Sequence, residues 1–181
     1  MIRHAFIAVL MVGCATPAFA QGKALAESLA RMHAGVARNV VEAAEKMSDA
    51  DFAFQPTKEV RTFAGFVGHI ANAEFNYCAR AKGEANPNKE DFEKVSGKAA
   101  LVAGIKAATA YCDGVYKAQT DASLGEMIAM GQNQQPRGQF LVQNISHSNE
   151  HYGNLVTYMR LKGLVPPSTE RASTPARPGG R

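Results

Sequence analysis

The stretch RGQFLVQNISHSNEHYGNLVTYMRLKG, residues 137–163, decides how this chain is read. Its periodicity is helical from Arg137 to about Lys162. Gly163 stands where a helix C′ residue adopts left-handed backbone, and Pro166 and Pro167 block any continuation. Inside this helix His147 and His151 lie four residues apart, so both imidazoles project from nearly one face and can reach one metal ion. A third histidine, His69, falls in an earlier helical stretch, and three nitrogen ligands would leave coordination positions for water or substrate. The chain has five histidines, and the other two are His4 and His33. The trio is therefore not drawn from a histidine-rich background.

Outward from this helix, the same periodicity recurs almost throughout, and no alternating strand pattern runs beyond a few residues. A first helix is expected from about Lys23 to Met47, with Leu25, Leu29, Met32, Val36, Val40 and Ala44 as its apolar stripe. A second begins near Thr62, a suitable N-cap, carries Phe63, Phe66, Val67, Ile70, Tyr77 and Ala81 on its apolar face, and ends at Gly83. Glu84 to Val95, with Asn86-Pro87-Asn88, reads as a loop. A third helix starts at Ser96 and places Leu101, Ile105, Ala108, Cys112 and Val115 at three-four spacing. Asp121 to Met130 suggests a short helix, followed by turn-rich Gly131 to Pro136. Four long helices with one apolar stripe each specify an all-α fold, a four-helix bundle, over residues 21–165. Residues 166–181, rich in Pro, Gly, Ser and Arg, read as a disordered tail.

Cys78 and Cys112 sit at similar depth in the second and third helices. Two readings are open: a disulfide, or two small buried hydrophobes. A disulfide requires these helices to run parallel, because antiparallel packing would separate the cysteines by roughly 15 Å. A parallel pair needs a connection crossing roughly 33 Å of bundle, and the loop can span about 37 Å when extended. The bridge and the long loop support one another conditionally.

Residues 1–20 read as a signal peptide. Arg3 and His4 precede an apolar run from Ala5 to Val12, and Ala18-Phe19-Ala20 is a small-x-small cleavage signal. Cleavage after Ala20 is expected, with a lipoprotein signal ending at Cys14 as the alternative. Either way the chain is expected to be exported, to a periplasmic or secreted location, where disulfides persist. The formal charge of +4 falls to +3 on removing Arg3, and Arg171, Arg177 and Arg181 belong to the tail. The body is nearly neutral, with no basic stripe, so nucleic acid is not an expected partner. After signal removal no apolar stretch approaches membrane-spanning length.

Neutral imidazole suits several divalent metals, with zinc, nickel, iron and manganese the candidates here. The lack of thiolates in the trio argues against a closed structural zinc site. His147 to His151 also fits H-x-x-E-H, the pattern of a zinc peptidase in which Glu150 would be the base. Only Glu170 follows as an acidic ligand, which disfavours that reading. Glu150 is more simply solvated, or a group that orients a histidine. His33 reads as a bundle-edge histidine. The five tyrosines, Tyr77, Tyr111, Tyr116, Tyr152 and Tyr158, suit either a pocket or helix interfaces.

Arg61-Thr-Phe63 leading into Phe66-Val-Gly-His69-Ile-Ala-Asn-Ala, together with His147 through Pro167, resembles the DinB/YfiT family. The resemblance covers essentially the whole chain after the leader. It implies a four-helix bundle with parallel second and third helices and one divalent metal held by His69, His147 and His151. It also implies a small-molecule substrate for those relatives that are metal-dependent thiol transferases or isomerases, and it is compatible with a homodimer. Two functional classes follow. One is a metal-dependent S-transferase or hydrolase. The other is a non-catalytic metal-binding or structural helical module.

Overall fold

The computed structural model describes residues 22–173. The expected signal peptide with its alternative end at Cys14, and the last eight residues of the expected tail, lie outside them. Four long helices form the body: α1 (Ala24–Lys46), α2 (Phe63–Lys82), α3 (Lys98–Lys117) and α5 (Arg137–Leu161). A short α4 (Asp121–Leu124), a hairpin of β1 (Met127–Met130) and β2 (Asn133–Pro136), and a terminal α6 (Pro167–Ser173) complete the chain. Among the described residues no helix is long and apolar enough to cross a membrane.

The long helices start and stop for the local reasons legible in the sequence. The Thr62 hydroxyl accepts from the Gly65 amide at 2.9 Å, capping α2. Gly83 closes that helix with φ at 74° and Gly163 follows α5 with φ at 72°, the left-handed backbone that glycine adopts without a Cβ clash. Around the bundle the order is α1, α3, α2, α5. Helices α2 and α3 run parallel, and α5 runs antiparallel to α2. Arg137 at the start of α5 reaches the Ala81 carbonyl at the end of α2, while Tyr158 near the other end donates to the Arg61 carbonyl at 2.7 Å.

Cys78 and Cys112 therefore meet at equal depth, their Cα atoms 5.4 Å apart and their sulfurs within bonding distance. That spacing falls in the range a disulfide needs. The loop from α2 to α3 crosses the bundle and docks through a single 3-10 turn at Phe92–Lys94. Asn72 clasps the turn: its carbonyl oxygen accepts from the Phe92 amide at 3.0 Å and its amide donates to Asp91 at 2.8 Å. Gly68 and Gly104 make room for Phe92. A Cβ at Gly68 would lie 2.3 Å from the Phe92 carbonyl oxygen, and one at Gly104 would lie 2.4 Å from its ring.

The clamp predicts opposite outcomes for one substitution at two sites. Gly68→Ala should destabilise by about 1–3 kcal/mol, since backbone must move to admit the methyl. Gly35→Ala in α1 meets nothing within 4 Å and should stabilise by up to about 1 kcal/mol through helix propensity. Urea unfolding of the two variants reads both signs, and stabilisation at Gly68 would refute the clamp.

Three features depart from the sequence reading. The inward face of α1 is Ala26, Leu29, His33, Ala37, Val40, Ala43 and Ala44, while Leu25 and Met32 are 56% and 54% exposed. Small alanines let the helices approach closely, so the stripe is rotated from the line of large side chains. Beyond Leu124 the chain forms the β1–β2 hairpin in place of further helix, with Gly131 at φ 62° in its turn. The run Met-Ile-Ala-Met is too short for periodicity to separate strand from helix. Residues 167–173 of the expected tail are helical. Pro167 begins α6, a position that tolerates its missing N–H. Tyr152 donates to the Ser168 hydroxyl at 2.8 Å, and Arg171 pairs with Glu42 and Lys46 with Glu170.

Candidate metal centre

His69 is presented by α2, and His147 and His151 by successive turns of the antiparallel α5. The three rings converge. One ligand-type nitrogen from each lies within 4.8 Å of the others, and all three residues are half-buried. Nε2 of His147 faces Nε2 of His69 at 3.0 Å. Behind His69, the Glu93 carboxylate contacts Nδ1 at 2.8 Å, and Arg61 Nε donates to the other oxygen of Glu93 at 3.3 Å. Phe66 and Tyr77 wall the cluster, with ring centroids 5.3 Å from His151 and 5.8 Å from His147.

Burial and neighbouring charge hold His147 and His151 in their ligand form. Burial pushes His147 down to about 4, and the neighbouring His151 and His69 rings and Arg61 push the same way. His151 is likewise lowered by burial and by His69, with Glu150 partly opposing. Burial works to raise Glu93, but its contacts to His69 and Arg61 outweigh this and hold it below the usual carboxylate range. Near neutral pH, His147 and His151 are uncharged and Glu93 is ionised.

An ionised Glu93 fixes the proton of His69 on Nδ1, so its Nε2 offers a lone pair to the centre. Nε2 of His147 stands 3.0 Å from that atom, close enough for one ring to donate to the other. With both nitrogens deprotonated, the same pair and His151 can face one cation. The Asn154 amide approaches Nδ1 of His151 at 3.3 Å. Turned with its oxygen to the ring, it accepts Nδ1–H and frees Nε2 of His151 in the same way.

All three predicted ligands are brought together. Glu93 and Asn154 were missed. Glu93 sits on a loop turn without periodicity, 24 residues from His69, so only the fold of the crossover loop reveals it. Glu150 is exposed and acts on His151 through charge alone. His33 is not at the bundle edge but in the core, 1% exposed. Among the tyrosines, Tyr116, Tyr152 and Tyr158 direct their hydroxyls to the Leu141 carbonyl, Ser168 and the Arg61 carbonyl.

The family model described as the DinB superfamily matches residues 32–155. The chain belongs to that superfamily. Solved DinB-like structures share the fold. One from Bacillus cereus superposes with a TM-score of 0.66 at 19% identity, covering 78% of this chain and 95% of that one. Another from Bacillus subtilis gives 0.62 at 22% identity, covering 75% and 92%. A mycothiol-dependent maleylpyruvate isomerase gives 0.56 at 16% identity, covering 72% of this chain and 60% of the isomerase. No curated protein matches.

A carboxylate behind a ligating histidine fixes its tautomer and raises its basicity. Glu93→Ala is expected to weaken metal affinity about 10–100-fold while leaving helicity unchanged. Isothermal titration alongside far-UV circular dichroism checks this, and an unchanged affinity would remove Glu93 from the site.

Proposed function

We propose that this DinB-superfamily protein binds one divalent metal ion through His69, His147 and His151 and uses it in S-transfer or hydrolysis. The observation carrying the reading is the convergence of three imidazoles from two helices in a half-buried position. An ion held this way supplies Lewis acidity that lowers the pKa of a water or thiol at its open positions. Glu93 and Asn154 orient the ligands, Arg61 balances the charge of Glu93, and Phe66 and Tyr77 form apolar walls. The fold likeness to a mycothiol-dependent isomerase supports a small thiol as the first ligand to test at the open position.

A second reading, a non-catalytic metal-binding module, is favoured by where the cavities fall. A cavity of about 620 Å³ lies between α1 and α5, lined by Leu29, Met32, Val142 and Ser146 among others, and none of the three histidines lines it. In this reading the metal stabilises the bundle by tying α2 to α5.

The same proposal places the protein outside the cytoplasm, with residues 1–20 removed as a signal peptide, and joins Cys78 to Cys112 as a disulfide. A homodimer is its proposed assembly. The deciding experiment is elemental analysis of protein purified without a metal-affinity column, followed by thiol-transfer and hydrolysis assays of the loaded form. About one ion per chain with metal-dependent turnover supports the enzyme. One ion without turnover selects the module. No metal, even after reconstitution, rejects both.

A further inference from the structure

A second cluster of ligand-type side chains lies inside the bundle. His33 on α1 is 1% exposed and Glu74 on α2 is fully buried. Nε2 of His33 is 3.5 Å from a Glu74 oxygen, yet neither ring nitrogen of His33 and neither oxygen of Glu74 makes a hydrogen bond. Buried polar groups are nearly always satisfied, so four unsatisfied atoms in one spot demand a reason. The buried His33 is the ring that faces Glu74, and at 3.5 Å the pair leaves room for a shared ligand.

Cys112 stands beside this pair. A ligand atom of His33, one of Glu74 and the Cys112 sulfur all lie within 4.8 Å of one another. Cys78 lies against Cys112. Behind His33, a carboxylate oxygen of Asp113 stands 3.3 Å from Nδ1, a looser approach than the hydrogen bond from His69 to Glu93 at 2.8 Å. The Asn144 side-chain amide stands 3.7 Å from each sulfur, placed to stabilise negative charge on either.

We infer that Cys78 and Cys112, when reduced, join His33 and Glu74 as the four ligands of a second, fully buried zinc site in the bundle core. The set is one imidazole, one carboxylate and two thiolates, which suits tetrahedral zinc. Two zinc–sulfur bonds at a tetrahedral angle need the sulfurs about 3.8 Å apart. A Cα separation of 5.4 Å accommodates this by rotation about the Cα–Cβ bonds. The chain thus carries one of two cross-links at a single place: zinc where it folds reduced, a disulfide where it folds oxidised. Passing from one to the other is a balanced exchange. The two protein thiolates attack a disulfide oxidant, their sulfurs join, the oxidant leaves as two thiolates, and zinc departs with the imidazole and carboxylate left behind.

The test counts metal in the full chain after the leader, oxidised and reduced, with cobalt as a spectroscopic stand-in for zinc. Reduction is expected to add one ion per chain to whatever the histidine centre holds and to bring in a sulfur-to-cobalt charge-transfer band. Glu74→Gln and His33→Gln should lose that added ion and no other. No added ion, or an added ion that both variants retain, overturns the inference. If a variant loses its helical circular dichroism, the intensity of the band in the unsubstituted chain decides. Two thiolates per added ion are required, and one or none overturns it. A chain binding no ion oxidised and one reduced would reject the histidine centre while upholding this site.

Discussion

A His147→Ala/His151→Ala chain is expected to leave purification with less than about a tenth of the metal of the unsubstituted protein, since it retains one of three ligands. His69 alone cannot chelate, and its partner Glu93 faces Nδ1, away from the centre. The thermal consequence follows by mass action. An ion present at 100 times its dissociation constant stabilises the native state by about 2.7 kcal/mol, or roughly 5–10 °C for a domain of this size. The unsubstituted protein should lose that increment on treatment with a chelator, whereas the double variant should not respond. Removing the rings also forfeits their packing against Phe66 and Tyr77. The melting point of the variant should therefore lie at or below that of the stripped protein. Equal metal content in both proteins would show that the ligands lie elsewhere.

Opening the link between Cys78 and Cys112 is the second large effect. The two residues are 34 apart in sequence, and closing a loop of that length stabilises by about 3–4 kcal/mol in the chain-entropy account. Cys78→Ala/Cys112→Ala is expected to lower the melting point by roughly 7–15 °C. Both side chains are fully buried, and alanine also leaves a small void. The comparison belongs in the presence of chelator, so that zinc cannot replace the disulfide in a reduced control. Thiol titration of denatured, unreduced protein should find no free thiol. Two free thiols would mean that the cysteines are not joined in the isolated protein.

The long helices were legible because their signals are local. Thr62, Gly83 and Gly163 act on backbone groups within a turn of themselves, and a stripe repeating at three-four spacing needs no partner to be recognised. The histidine trio was legible for a related reason. His147 and His151 share a face by helix geometry, and the histidine content outside the trio is low. What stayed hidden was non-local or too short to show a period. Glu93 comes to His69 only because Asn72, Gly68 and Gly104 seat the Phe92 turn against α2 and α3. The Met127–Met130 strand has four residues, fewer than any periodicity test can use. Helix α6 is held by Tyr152, Glu42 and Lys46, all distant in sequence.

His33 makes the same point from the core. Beside Met32 it reads as an edge residue. The rotation of α1 that buries Ala26, Ala37 and Ala44 carries it inward against Tyr116, with ring centroids 4.3 Å apart. By itself, then, the sequence determined the four long helices, their main ends, the three-histidine set and the depth match of the two cysteines. Each follows from backbone geometry and side-chain spacing along a single helix. The tertiary structure alone decided which face of α1 is buried, how the crossover loop delivers Glu93, and that His33 and Glu74 meet beside Cys112. Those outcomes depend on how closely helices distant in sequence can pack, and an alanine or a glycine sets that distance only once its neighbour is in place.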